Sequence, residues 1–221
     1  MVGRYRDDVY AWDVVNEVID PGQPDGFRRS PWYLLTGTDY IDTAFRTARE
    51  VAPNAKLFIN DYDTTDPVKR QFLFNLVRDL KRRGVPLDGV GHQMHVNIDC
   101  PPVADFVETV NLFVQLGVDQ QVTELDMSLY HDSQDSYPRP YPVALDRQAA
   151  RYRELFDALR QMKGKITGVT FWGVADDHTW RSSRTRTDWP LLFDNQTQPK
   201  AAFWAVVGAA QPAASTRNPG Q

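Results

Sequence analysis

One cysteine, Cys100, is all that the 221-residue chain contains, so it can form no intrachain disulfide; the lone thiol is expected to be packed rather than reactive. No apolar run approaches the roughly 20 residues that a membrane-spanning helix requires. The opening MVGRYRDDVY lacks the apolar centre of a signal peptide. Concentrated positive charge is also missing. The net charge is −4, and the basic clusters KRRG (81–84) and RSSRTR (181–186) are short and read as solvated surface, so a nucleic-acid partner is not expected. There is no glycine-rich phosphate loop and no histidine-cysteine cluster with metal-ligand spacing. What the chain does have is 42% hydrophobic residues, enough for a soluble globular domain with a substantial core.

Apolar, β-branched runs alternate with amphipathic helical patterns. Strands are expected at DVYAWDVV (8–15), AKLFIND (55–61), LDGVGHQMHV (87–96), DQQVTELDM (119–127) and ITGVTFWGV (166–174). Their near-continuous apolarity suits parallel strands covered on both faces. Between them, Thr38 is placed to cap a helix running to Val51, and Asp66-Pro67 starts one that Gly84 closes. Pro102 opens a third, ending by Gly117, and a fourth runs from about Leu145 to Met162. A short last helix lies near 200–207, followed by small and polar residues read as a flexible tail or linker over 209–221. Strand then helix, five times, is the rhythm of a parallel α/β protein occupying residues 1–208.

The polar residues carry the functional signal. Each strand finishes with groups that are costly to bury without partners. The ends are Asn16 and Glu17; Asn60, Asp61 and Tyr62; His92, Gln93 and His95; Glu124 and Asp126; and Trp172, with Asp176 and Asp177 just beyond. In (β/α) barrels, chemistry sits at the carboxyl ends of the strands. Glu17 and Glu124 form the pair to weigh. Two carboxylates in one cleft suit glycosidic hydrolysis, one donating a proton and the other attacking the anomeric carbon. Trp32, Tyr62, Trp172 and Trp180 near strand ends and loops offer flat faces on which sugar rings stack. A cation held by His92, His95, Glu124 and Asp126 is the competing reading. Against it, two histidines three apart on one strand point to opposite faces.

AWDVVNE and VTELDM resemble the two signature strands of glycoside hydrolase family 10, the retaining endo-1,4-β-xylanases. GRYRDDVYAWDVVNE, LFINDYD, GVGHQMHV, VTELDMSLY, VTFWGVADDHTWR and PLLFDNQTQPKAAFWAV follow in the family's order across essentially the whole chain. The resemblance implies that Glu17 is the acid/base and Glu124 the nucleophile. It implies that Asn16 binds the 2-hydroxyl of the sugar at the cleavage point, that Gln93 and His95 flank the nucleophile, and that Asp126 orients His95. Tyr62 resembles the aromatic over the leaving side, while Trp172 and Trp180 resemble floor and lid around the cleavage-site sugar. Asn60, with Asp61, His92, Asp176 and Asp177, is read as support behind these groups. No cofactor or metal is implied.

The same resemblance makes the WDVVNE strand the fourth of a TIM (β/α)8 barrel, so the five strand–helix units correspond to the fourth to eighth and the barrel is incomplete. It implies xylan or a xylo-oligosaccharide as substrate, an extracellular setting because the polymer cannot enter a cell, and no membrane. Two states of this polypeptide follow as expectations. One is an enzyme, either a truncated part of a longer one or completed by self-association or by a complementing N-terminal barrel segment. The other is a remnant that binds xylo-oligosaccharides with little turnover. Two-glutamate barrels acting on cellulose or mannan are the neighbouring alternative; the ordered motifs favour xylan.

Overall fold

A computed structural model describes residues 1–131 and 135–208. After a 3-10 turn at Val2–Arg4 come β1 (Ala11–Asn16), α1 (Pro31–Thr36), α2 (Asp39–Val51), β2 (Lys56–Asp61) and α3 (Pro67–Arg82). They are followed by β3 (Gly89–His92), β4 (His95–Asn97), α4 (Val103–Val114), β5 (Asp119–Ser128), α5 (Pro142–Gln161), β6 (Gly168–Phe171), a 3-10 turn at Asp176–His178, and α6 (Ala201–Val207). The strands form one sheet in the order β1-β2-β3-β5-β4, with β6 also paired to β5. The β1–β2, β2–β3, β3–β5 and β5–β6 pairs are parallel. Strand, helix, strand in parallel order is the expected (β/α) architecture.

The chain divides into two compact units. The first comprises Met1–Val96, Cys100–Asp126 and Ala158–Trp172; the second comprises Asn97–Asp99, Met127–Asp157 and the residues from Gly173. In the first, Val15, Leu57, Ile59 and Val90 on the strands pack with Ile41, Phe45, Leu73, Val77 and Phe113 on the helices, and Trp12 and Val14 lie against the same cluster. This apolar layer sits between sheet and helices, which leaves the opposite strand faces for other work. Two glycines make that face possible. A Cβ on Gly89 would lie 2.2 Å from Phe58 Cε1, and one on Gly91 would lie 2.4 Å from Asn60 Oδ1, so only bare backbone fits beside the side chains of β2. In the second unit the buried Lys200 ammonium donates to Asp176 Oδ2 and to the carbonyls of Trp189 and Leu191, tying α6 to the loops before it. Buried Asp188 accepts from the Ser128 hydroxyl and the amides of Leu129 and Trp189.

Several expectations change in detail. The run 87–96 is two strands, not one, because Met94 takes a left-handed backbone at φ 62 and breaks the ladder. Thr38 precedes α2 but makes no side-chain cap; its backbone is already helical, directly after the turn at Gly37 that ends α1. The first helix, α1, gave no amphipathic pattern because Trp32, Leu34 and Leu35 are all exposed; the Ser30 hydroxyl caps it by accepting from the Tyr33 amide at 3.2 Å. Asp66 caps α3 as its position suggests, accepting from the amides of Val68 and Lys69. Cys100 is exposed rather than packed, since it falls in the loop between β4 and α4. The segment 209–221, read as a tail, lies outside the described residues. No helix of the described residues is long and apolar enough to cross a membrane.

Candidate active site

The ends of β1, β2, β3 and β5 bring most of the sequence-identified residues together in the first unit. β1 stops at Asn16, and Glu17 follows in the left-handed region at φ 56, which a β-branched or bulky residue reaches only at a cost of roughly 1–3 kcal/mol. The Glu17 amide still donates to the Asn60 carbonyl at 2.8 Å, so the ladder with β2 is kept while the side chain is redirected. The amide of Glu124 donates in the same manner to the Gln93 carbonyl at 3.0 Å.

A continuous relay of side-chain amides joins the two glutamates. Gln93 Nε2 donates to Glu17 Oε1 at 3.1 Å and to Asn16 Oδ1 at 3.3 Å. Asn60 Nδ2 donates to the same Asn16 oxygen at 2.9 Å and to Glu124 Oε1 at 2.7 Å. The Thr123 hydroxyl fixes the Asn60 carbonyl oxygen at 2.6 Å. Gln93 and Asn60 each donate twice, once to a glutamate and once to Asn16, whose side-chain oxygen accepts both. On the far side of Glu124, His95 Nε2 lies 3.0 Å from Oε2, and His95 Nδ1 lies 3.1 Å from Asp126 Oδ1, with Asp126 fully buried. Trp172 stands edge-on to His95, ring centroids 6.4 Å apart, with about half its surface open (48%) for a ligand to cover.

The two carboxylates are not equivalent. Glu124 is met at both oxygens, by Asn60 and His95, and its side chain is 13% exposed. Glu17 receives Gln93 on one oxygen, faces Arg28 NH2 at 3.6 Å on the other, and is 35% exposed. Arg28 also donates to the Tyr62 hydroxyl at 2.9 Å. Behind Tyr62, buried Lys69 places its ammonium 3.1 Å from the ring centroid and 2.8 Å from Asp61 Oδ1. Burial pushes the Asp61 carboxyl upward, opposed by Lys69 and by the backbone amides of Ile19 and Tyr62.

Thr123, Arg28, Lys69 and Asp13 belong to this site but were not singled out from sequence. Arg28 sits in a loop, and Lys69 in the first turn of a helix, where a basic residue reads as solvated. Asp13 did carry a signal, a carboxylate in mid-strand between Trp12 and Val14. Its residue surface is open, yet its carboxyl is pushed up to about 6, first by crowding that strips water from it and then by the negative charge of Glu124. His92 turns away from the site. It is completely buried, bonded to Thr64 Oγ1 and Gln120 Oε1 and edge-on to Phe106 and Phe113, and burial pushes it down to about 4. It and His95 are thus kept apart by the break at Met94, and not by alternation along one strand. Among the described residues no group of three or more His, Cys, Asp or Glu is arranged to hold a metal ion.

Trp180 belongs to the second unit, where it is 60% exposed with the Arg181 guanidinium 5.2 Å from its ring centroid. Asp176 there is buried against Lys200 and pushed up to about 6 by that burial, while Asp177 pairs with His178 at the surface. Trp32 lies on α1, 66% exposed.

Residues 1–209 match the model of glycosyl hydrolase family 10. The chain belongs to this family. Among family relatives, a thermostable celloxylanase of Thermoclostridium stercorarium is 51% identical over 215 residues, covering 94% of this chain and 55% of that protein. Endo-1,4-beta-xylanase A of Thermotoga maritima is 48% identical over 208 residues, covering 94% of this chain and 19% of the longer protein. The crystal structure of xylanase B from Clostridium stercorarium F9 matches with a TM-score of 0.90 at 51% identity, over 93% of this chain and 62% of that one. The chain therefore spans about half the length of the celloxylanase, and its parallel strands and helices are those of an incomplete family-10 barrel.

Proposed function

We propose that this chain carries the catalytic pair of an endo-1,4-β-xylanase that cleaves internal β-1,4-xylosidic bonds with retention. The observation that carries this reading is the amide relay through Gln93, Asn16 and Asn60, which holds Glu17 and Glu124 in one site. The asymmetry between them supports the roles. Glu124, addressed at both oxygens, attacks the anomeric carbon as the bond to the departing xylose oxygen breaks. Glu17, more open, gives that oxygen its proton. The glycosyl ester on Glu124 is then displaced by a water whose proton returns to Glu17, restoring both groups with net retention. Retention needs the carboxyls about 5–5.5 Å apart, without room for water between nucleophile and sugar. Asn16 bonds the 2-hydroxyl, His95 and Gln93 hold the pair in register, and Trp172 stacks on the sugar. The names of the relatives, celloxylanase and endo-1,4-beta-xylanase, point to the same polymer.

One observation favours a second state. Among the described residues β1 is paired on one side only, with β2. An open edge next to the acid/base recruits another strand. We take completion by a further barrel segment, or self-association along this edge, as the condition for full turnover; without it the chain binds xylo-oligosaccharides and turns over slowly. Xylan hydrolysis places the working protein outside the cell.

The decisive assay measures reducing ends released from xylan beside a xylo-oligosaccharide titration. Glu124→Gln is expected to lower release by several orders of magnitude while leaving the melting temperature nearly unchanged; an undiminished rate overturns the assignment.

A further inference from the structure

Tyr62 lies on the Glu17 side of the relay. Its hydroxyl accepts from Arg28, and the same guanidinium nitrogen lies 3.6 Å from Glu17 Oε2, whereas Glu124 is held from the other side by Asn60 and His95. On the reading that Glu17 gives its proton to the leaving oxygen, Tyr62 falls on the side of the departing sugar. What holds that ring comes from below. Lys69, on the first turn of α3, is buried to 2% exposure, a burial that a lysine reaches only with compensation. Its ammonium meets Asp61 Oδ1 at 2.8 Å and the face of the Tyr62 ring at 3.1 Å. Asp61 in turn accepts the amides of Ile19, just past Glu17, and of Tyr62 itself.

We propose that Lys69 is a positioning residue for the leaving-group side: its ammonium, clamped by buried Asp61, fixes the Tyr62 ring, and through the hydroxyl of that ring fixes Arg28 beside Glu17. Lys69 touches neither sugar nor proton. A cation against an aromatic face attracts more strongly when both are withdrawn from water, and here the cation is fully withdrawn. The clamp also joins the two loops that follow β1 and β2, so the proton donor and the sugar platform are located by one ion pair.

This inference rests on the hydrolase reading, and the test separates the two. The Asp61→Asn/Lys69→Met pair removes both charges together, so no uncompensated ion is left buried. Rates are read on a xylo-oligosaccharide, which places a sugar against Tyr62, and on an aryl β-xylobioside with an acidic phenol, which places none and needs little protonation. The double variant is expected to lower kcat/KM for the oligosaccharide roughly 2- to 30-fold more than for the aryl substrate, the range that one cation–π contact supports. Equal losses on both substrates overturn the proposal, because a merely structural role lowers both alike. If the charge pair is needed for folding, Tyr62→Leu leaves it in place and is expected to shift the same ratio; an unchanged ratio there overturns the proposal. The 221-residue chain also gives a reading without turnover: the NMR ring-flip rate of Tyr62 is expected to rise in the double variant, and an unchanged rate refutes the clamp. Failure of the unsubstituted chain to cleave either substrate counts against the hydrolase reading for this polypeptide, while the ring-flip measurement still decides the role of Lys69.

Discussion

Gly89 and Gly91 sit two apart on β3, facing the same side of the sheet, and substituting each with alanine separates packing from chemistry. At Gly91 the added Cβ would meet Asn60 Oδ1 at 2.4 Å and Thr123 Cγ2 at 2.9 Å; at Gly89 it would meet three atoms of the Phe58 ring between 2.2 and 2.6 Å. Both are overpacking in a tight layer, costing about 1–3 kcal/mol, a fall in melting temperature of roughly 2–12 °C for a chain of this size. Their effects on catalysis differ. To clear the methyl group, Asn60 must retreat by about 1 Å from its normal contact distance, which breaks or bends its 2.7 Å bond to Glu124 and its 2.9 Å bond to Asn16. A hydrogen bond to a charged group is worth about 1.5–3 kcal/mol, so kcat/KM on xylo-oligosaccharides is expected to fall roughly 10- to 150-fold in Gly91→Ala. Phe58 bonds to nothing in the relay, so Gly89→Ala is expected to lose less than about threefold, since a packing change two residues away leaves the polar bonds intact. The assay is initial-rate hydrolysis well below both melting temperatures. Equal catalytic losses, or an undamaged rate in Gly91→Ala, would refute the claim that the Asn60 bridge holds the nucleophile.

Three further outcomes are expected. His92, pushed down to about 4 by burial from its ordinary 6.5, contributes stability that is complete above pH 6.5 and is lost as pH falls through about 4, at most about 3 kcal/mol. Asp13 and Asp176, both pushed up to about 6, act in the opposite sense: their contribution is present below 3.8 and is lost as pH rises through about 6. Urea midpoints for His92→Gln and the unsubstituted chain between pH 7 and 4.5 isolate the histidine, and parallel pH curves would contradict the account. Trp172→Ala, at a half-exposed ring, is expected to raise KM for xylo-oligosaccharides roughly two- to tenfold, as one lost aromatic contact implies, with little change in melting temperature; an unaltered KM would remove Trp172 from the sugar platform.

Much of this site was readable because polar groups stood where buried strands should be apolar. Asn16, Glu17, Asn60, Gln93, Glu124 and Asp126 announced themselves in that way, and all of them converge. The strand break inside LDGVGHQMHV did not, since methionine has no preference for the left-handed backbone that Met94 adopts. Helix α1 stayed hidden for the opposite reason: with Trp32, Leu34 and Leu35 all outward, there is no periodic face to detect. Lys69 carried no signal at all. A lysine in the first turn of a helix reads as solvent-facing, and only the fold brings Asp61 and Tyr62 to it. His92 and His95 lie in separate places, but strict alternation along one strand is not what separates them, because the backbone breaks at Met94.

The left-handed backbone at Glu17 has a consequence for how this protein tolerates change. A glycine there would relax the main chain by about 1–3 kcal/mol, set against the lost contacts from Gln93 and Arg28, while deleting the proposed proton donor. Position 17 is therefore a point where heat tolerance and turnover pull apart. A library screened for folding alone would test this: where the relaxed backbone outweighs the lost contacts it enriches Glu17→Gly, and on the proposed reading those scaffolds release no sugar from xylan.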